Sequence, residues 1–172
     1  MSNLYSVNIA STDLKSYYKV DGNGWSSIIS SYPIVPNATT IVEFYIENGR
    51  NFFIGCGKKN KALLKTQFAG KIPDTVGLYT ATGEKEQFDN SVDYAPAFAE
   101  GDNVTMIINM HEDEEHVSYK KNGNSLGIAY SGLGDWEDEV YIIVSMHYVH
   151  HKIKLTNYKV EYWSSSIILS PT

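Results

Sequence analysis

Residues 116–133 read HVSYKKNGNSLGIAYSGL, and this stretch decides the fold. Val117 to Lys121 and Ser125 to Ala129 are two strand-forming runs with Asn122-Gly123 between them. Asn tolerates a positive φ and Gly adopts it freely, so the pair fits the tight turn whose twist matches antiparallel strands. Immediately upstream, Val104, Met106, Ile108 and Met110 alternate with Thr105 and Asn109, which predicts a strand with one buried face. Ile41 to Ile46 and Asn51 to Cys56 flank Asn48-Gly49 and predict a second hairpin. Val140 to Met146 is apolar at almost every position and reads as a central strand covered on both faces, which requires two packed sheets. Ile153 and Leu155 alternate with Lys152 and Lys154, the pattern of a more peripheral strand. No segment carries helical periodicity, and at most a single turn is expected near Tyr94 to Phe98.

Composition agrees with this reading. Val, Ile, Thr, Tyr, Phe and Trp together number 60, against 18 Ala plus Leu, which excludes a helical bundle and predicts an all-β chain. Turn signals recur every few residues, as a sandwich or barrel requires. At 172 residues the chain is expected to form one domain over 1–172, large enough to bury roughly two thirds of its unfolded surface. The longest apolar runs, such as Tyr141 to Val144, are too short to span a membrane as a helix. The opening MSNLYSVNIASTDLK shows no basic n-region or apolar core, and the single Cys suits a reducing compartment. The expected location is therefore cytoplasmic or nuclear.

The net charge of −6 is unevenly spread. Glu112 to Glu115 and Asp135, Glu137, Asp138 and Glu139 form two acidic clusters, while Lys58, Lys59, Lys61, Lys65 and Lys71 form a basic run. Arg50 is the only arginine. Phosphate recognition leans on arginine for bidentate pairing, so nucleic acid is not an expected partner.

The order of these pieces resembles one family. From Val76 the chain reads VGLYTATGEKEQFDN, then YAPAFAEGDNVTMIINM, then the 116–133 stretch, then VYIIVSM. This is similar to the SPRY domain, the core of the B30.2 module. The matching positions are Phe98, Gly101, Asp102, Val104, Val117, Tyr119, Asn122, Gly123, Leu126, Gly127, Ala129, Tyr130, Tyr141, Val144 and Ser145. Upstream, Gly24-Trp25, Tyr32-Pro-Ile and Val42-Glu-Phe match the family's opening, and Ile54-Gly-Cys-Gly57 its glycine-rich strand. Tyr94-Ala-Pro-Ala-Phe98 stands where the family has YGPPF, and Asn109-Met110 where it has LD. The likeness covers roughly residues 20–160, leaving 1–19 and 161–172 as terminal strands or extensions. It implies a twisted antiparallel sandwich of two sheets, of concanavalin A-like jelly-roll type. It also implies no catalysis and no cofactor, with a protein or peptide bound through loops at one edge.

The resemblance further implies that the loop after the VSM strand joins the binding surface. Here that loop is His147, Tyr148, Val149 and His150, with Tyr148 the expected anchor because an aromatic with a polar tip brings much contact area and few rotors. Two further loops qualify because they are charged and join strands: Lys58, Lys59 and Lys61 around Asn60, and Asp135, Trp136 and Glu137. With His147 and His150 bordering the site, binding is expected to change between about pH 5.5 and 7.

Other chemistry was weighed on the same residues. A lectin-like carbohydrate site would use some of the 13 tyrosines as stacking platforms, though no calcium motif supports it. A glycan hydrolase would use Asp135, Glu137 and Glu139, which on a strand project from one face about 7 Å apart in succession. Gly132 and Gly134 instead mark that segment as a loop. In an extended chain His147 and His151 stand roughly 13 Å apart, so only a turn through Val149 would bring them together on a metal ion. Cys56 is in phase with Phe52 and Ile54 and reads as a small buried hydrophobe. Asp21-Gly-Asn-Gly24 reads as a turn, and Asn37-Ala-Thr39 and Asn103-Val-Thr105 as chance sequons. A monomer is the default.

Overall fold

The computed structural model describes residues 3–5, 9–11, 13, 15–22, 24–133 and 139–162. Fourteen strands among them form two antiparallel sheets of seven. The first runs β1 (Asn3–Tyr5), β4 (Ser26–Ser30), β13 (Tyr141–Met146), β6 (Phe52–Gly57), β7 (Thr75–Tyr79), β8 (Glu84–Gln87) and β9 (Asn90–Asp93). The second runs β12 (Asn124–Ser131), β11 (His116–Lys121), β10 (Asn103–Asn109), β5 (Ala38–Asn48), β14 (Lys152–Tyr162), β3 (Ser16–Lys19) and β2 (Ile9–Ser11). The expected twisted antiparallel β-sandwich is the observed architecture.

Period-2 patterning explains the core. On β5, Val42, Phe44 and Ile46 are buried while their neighbours are half-exposed, and β10 buries Val104, Met106 and Ile108. Opposite them β6 contributes Phe52, Ile54 and Cys56, β7 Val76 and Leu78, and β13 Ile142, Val144 and Met146. The Asn122-Gly123 hairpin is as expected, with φ of 49° and 81° at the turn and Lys121 facing Asn124 across it.

Three readings need correction. Asn48-Gly49 is a turn, but not a hairpin: β5 pairs with β10 and β14, whereas β6 pairs with β13 and β7. The chain arches from one sheet to the other, so the inward residues of β5 and β6 face each other across the core. β13 is indeed buried at all six positions, but the second sheet covers only one of its faces. On the other face, Tyr141 and Ile143 join Ile29 and Phe53 under Leu63 and Ala69 of the β6–β7 connection. β14 is not peripheral: it lies between β5 and β3 and continues to Tyr162. Lys61–Leu64 forms a 3-10 turn, and Tyr94 to Phe98 forms no helical turn.

The β6–β7 connection is pinned by hydroxyls. Ser145 Oγ accepts from Ala69 N at 3.1 Å and pairs with Ser27 Oγ at 2.8 Å, and Ser27 Oγ donates to Gln67 O at 3.2 Å. Thr75 Oγ1 accepts from Gly70 N and donates to Ile72 O. These bonds satisfy polar groups that would otherwise be costly under an apolar cover.

Candidate functional site

Register separates the candidate loops. Met146 faces Phe52 and Tyr141 faces Gly57, so the two ends of β13 mark the two ends of the sandwich. Residues 147–151 follow Met146 at one end; Lys58 and Lys59 follow Gly57 at the other. The candidates therefore do not form one surface.

At the Tyr141 end, Lys59 Nζ stands 4.5 Å from the centre of the Tyr141 ring, and the Tyr141 hydroxyl donates to Glu139 Oε2 at 2.5 Å. Lys58 N donates to Asp74 O, and its ammonium lies 3.7 Å from Asp74 Oδ2. Lys61 opens the 3-10 turn, where the Asn60 side chain accepts from Ala62 N at 2.9 Å. This segment is not the freely variable loop its charge suggests, because it carries Leu63 and Ala69 into the second apolar cluster. Asp135, Trp136 and Glu137 lie outside the described residues. The exposed Tyr32 and Tyr162 lie at this end, away from Tyr148, and the exposed Tyr158 is near Tyr162 on β14. Between the sheets, a cavity of about 30 Å³ lined by Tyr17, Ile28, Val42, Phe44 and Val144 has room for about one water and no ligand.

The Tyr148 end carries the more built arrangement. The chain turns through Tyr148, Val149 and His150, the last with φ of 70°. That turn brings the His147 and His151 rings against Tyr148, with centres 4.4 Å and 5.2 Å from its own. The imidazoles in ring contact with Tyr148 are those of His147 and His151, where the sequence suggested His147 and His150. Tyr148 is 53% exposed, and Val149 and His150 are exposed beside it. Behind them Trp25 packs edge-on to His147 at 4.9 Å and contacts Phe53, Phe68 and Tyr79. Tyr79 is held in turn by Asn51 Nδ2, 2.6 Å from its hydroxyl. The result is an aromatic floor running from the loop onto the outer face of the first sheet.

Both imidazoles are biased toward the neutral form. Burial, then the Lys19 ammonium, pushes the His147 pKa below its ordinary 6.5. Burial lowers His151 as well, aided by His147 and Lys19 and opposed by a backbone hydrogen bond at Asn51. Among the described residues the Nδ1 atoms of both rings are buried without a hydrogen-bond partner. No group of three or more His, Cys, Asp or Glu among the described residues is placed to hold a metal ion.

Sequence reasoning missed Lys19, and it named Trp25 only as a family match and His151 only as a possible metal partner of His147. Lys19 shares a strand face with the buried Tyr17, so a lysine at an inward position was the available signal.

Cys56 is fully buried, and burial pushes its thiol up to about 12. Iodoacetamide at pH 8 is expected to leave the native protein unmodified and to label it fully in denaturant, as intact mass spectrometry would show. Labelling of the native protein at the rate of a free thiol would contradict this environment.

The two-sheet antiparallel sandwich with an arched β5–β6 connection defines the class, and solved structures make it specific. The chain is similar to the SPRY domain of human HERC1, with a TM-score of 0.70, 17% identity, and coverage of 87% of this chain and 92% of that one. A second human SPRY domain gives a TM-score of 0.68 and 16% identity over 90% of this chain and 96% of that one. The fold is the SPRY fold. No family model matches the sequence, and no curated protein matches it. Among the described residues no helix is long and apolar enough to cross a membrane.

Proposed function

We propose that this chain is a non-catalytic recognition module that takes up a peptide or protein segment at the Tyr148 end of the sandwich. Tyr148 is the anchor, with His147, Val149 and His150 around it. The observation that carries this reading is an exposed tyrosine packed against two imidazoles beside a packed aromatic floor. Such a platform offers a large amphipathic contact whose own ordering is already complete, so little rotamer entropy is lost on binding. The apolar floor and the single arginine favour a peptide over a nucleic acid. Lys58, Lys59 and Lys61 belong to the opposite end and are left out of this surface.

Selection from a random peptide display library tests the proposal. Peptides enriched on the wild type are expected to bind a Tyr148→Ala variant at least roughly tenfold more weakly, the scale of an interface hot spot. Equal affinity for both proteins would sink the assignment.

A further inference from the structure

One side chain holds the Tyr148 loop in place from beneath. Lys19, the last residue of β3, has no exposed surface. Its Nζ donates to the carbonyl oxygens of Gly24 and His147, the second at 2.7 Å. Its backbone N donates to His151 O at 3.2 Å, and its O accepts from His150 N at 2.9 Å. Lys19 thus bonds the first residue of the loop, its last two, and the turn that carries Trp25. Among the described residues no carboxylate lies within salt-bridge distance of its ammonium. A buried ammonium held by carbonyl dipoles, with the Asp21 charge beyond contact, is expensive, and Met or Leu would fill the same inward position at no such cost.

We propose that Lys19 is a positioning residue for the partner-binding loop, holding residues 147–151 in a shape that lasts only while His147 and His151 are uncharged. This rests on the reading of that loop as the binding surface. Protonating either ring places a second cation beside the Lys19 ammonium, around a buried Nδ1 that faces no acceptor. The other charged or titratable groups around the loop do not offset this. Asp21 is exposed and its charge acts on Lys19, and Glu47 is paired with Lys152 at 3.0 Å. Arg50 adds positive charge in the neighbouring turn, Tyr79 is engaged by Asn51, and Tyr148 and His150 belong to the loop itself. The sign follows from linkage. A released loop takes up protons at the ordinary imidazole value of 6.5, and the held loop only below it. The held shape is therefore fully stable above about pH 6.5 and loses stability as pH falls from there through the depressed values.

The test needs no ligand. Imidazole NMR titrations and amide protection factors are measured on the full chain, wild type and Lys19→Met. In the wild type, His147 and His151 should titrate below 6.5, and the amides of His150 and His151 should lose protection at acid pH while those of β10 and β11 do not. In Lys19→Met, both midpoints should move upward, and the same loop amides should exchange roughly tenfold faster or more at pH 7.5, as loss of a charge-assisted bond implies. Unchanged midpoints or retained loop protection in the variant would overturn the proposal. Where Lys19→Met does not fold, wild-type loop amides that stay as protected at pH 5 as at pH 7.5 would overturn it alone. Peptides selected through Tyr148 should bind more weakly at pH 5.5 than at pH 7.5. Failure of Tyr148→Ala to affect binding would remove the recognition reading and leave the loop measurements standing.

Discussion

Replacing Gly55 with alanine is expected to abolish folding or to cost at least about 3 kcal/mol, beyond the usual range for a single substitution. Gly55 sits mid-strand on β6 and faces Gly77 of β7 across the ladder. A methyl group there would lie 1.8 Å from Val76 O and 2.7 Å from Gly77 Cα. Both are backbone atoms of the paired strand, so no side chain can rotate away and the strands themselves must part. Parting them breaks the ladder that carries Ile54, Cys56, Val76 and Leu78 into the core. The glycines also serve the cover above them, since a methyl on Gly77 would stand 2.5 Å from Ala69 O. Ala69 and Gly70 descend directly onto bare backbone there, which lets Leu63 reach the apolar cluster around Phe53 and Ile143. Chemical denaturation of purified Gly55→Ala protein is the measurement. A midpoint within experimental error of wild type would mean that β6 and β7 are not packed this closely.

The Gly55 environment illustrates where sequence reading succeeds and where it stops. Residues 104–131 were legible because the information is local: alternation states which side chains face inward, and Asn122-Gly123 supplies the positive φ that its turn uses. At Asn48-Gly49 the same signals are present, yet the strands separate into different sheets. Period-2 alternation is identical for a hairpin and for an arch, because in both the apolar residues face the core. What distinguishes them is non-local: His151 packs so tightly against Gly49 that a Cβ there would lie 2.3 Å from its ring. The same limit governed the site. Tyr148 was legible as an exposed aromatic in a loop. The turn through Val149 that brings His151 to His147 was one option among others in the sequence, because the bonds from Lys19 to that loop come from another strand. The lysine run misled for a different reason: charge marked Lys58 to Lys71 as surface, while Leu63 and Ala69 within it are fully buried.

Removing two hydroxyl groups from the sandwich interior is expected to produce the second large effect. Tyr119 on β11 is fully buried and donates to Ile54 O of β6 at 2.8 Å. Tyr130 on β12 donates to Gly77 O at 2.8 Å and to Glu86 O at 2.9 Å. These directional bonds cross between the two sheets, as does the one from Lys85 Nζ on β8 to Ala129 O on β12 at 2.7 Å, so they help set how the sheets lie on one another. Phenylalanine keeps each ring and leaves the facing carbonyls without their hydroxyl donor, which costs about 1–3 kcal/mol per site. The double variant should therefore lose about 2–6 kcal/mol, or several degrees to well over ten in Tm at about 2–4 °C per kcal/mol for a chain of this size. The pH dependence separates lost hydroxyls from general loosening. Burial raises both phenols above their ordinary value of 10, so the folded protein keeps protons that the unfolded chain releases. That contribution is fully present below pH 10 and is lost as pH rises beyond it. Wild type should accordingly destabilise steeply above pH 10, while Tyr119→Phe/Tyr130→Phe should fall less steeply, retaining the part due to Cys56, raised from 9.0 to about 12. Urea midpoints of both proteins at pH 7, 9, 10 and 11 would show it. Parallel curves across that range would mean that neither phenol is buried as a neutral inter-sheet donor.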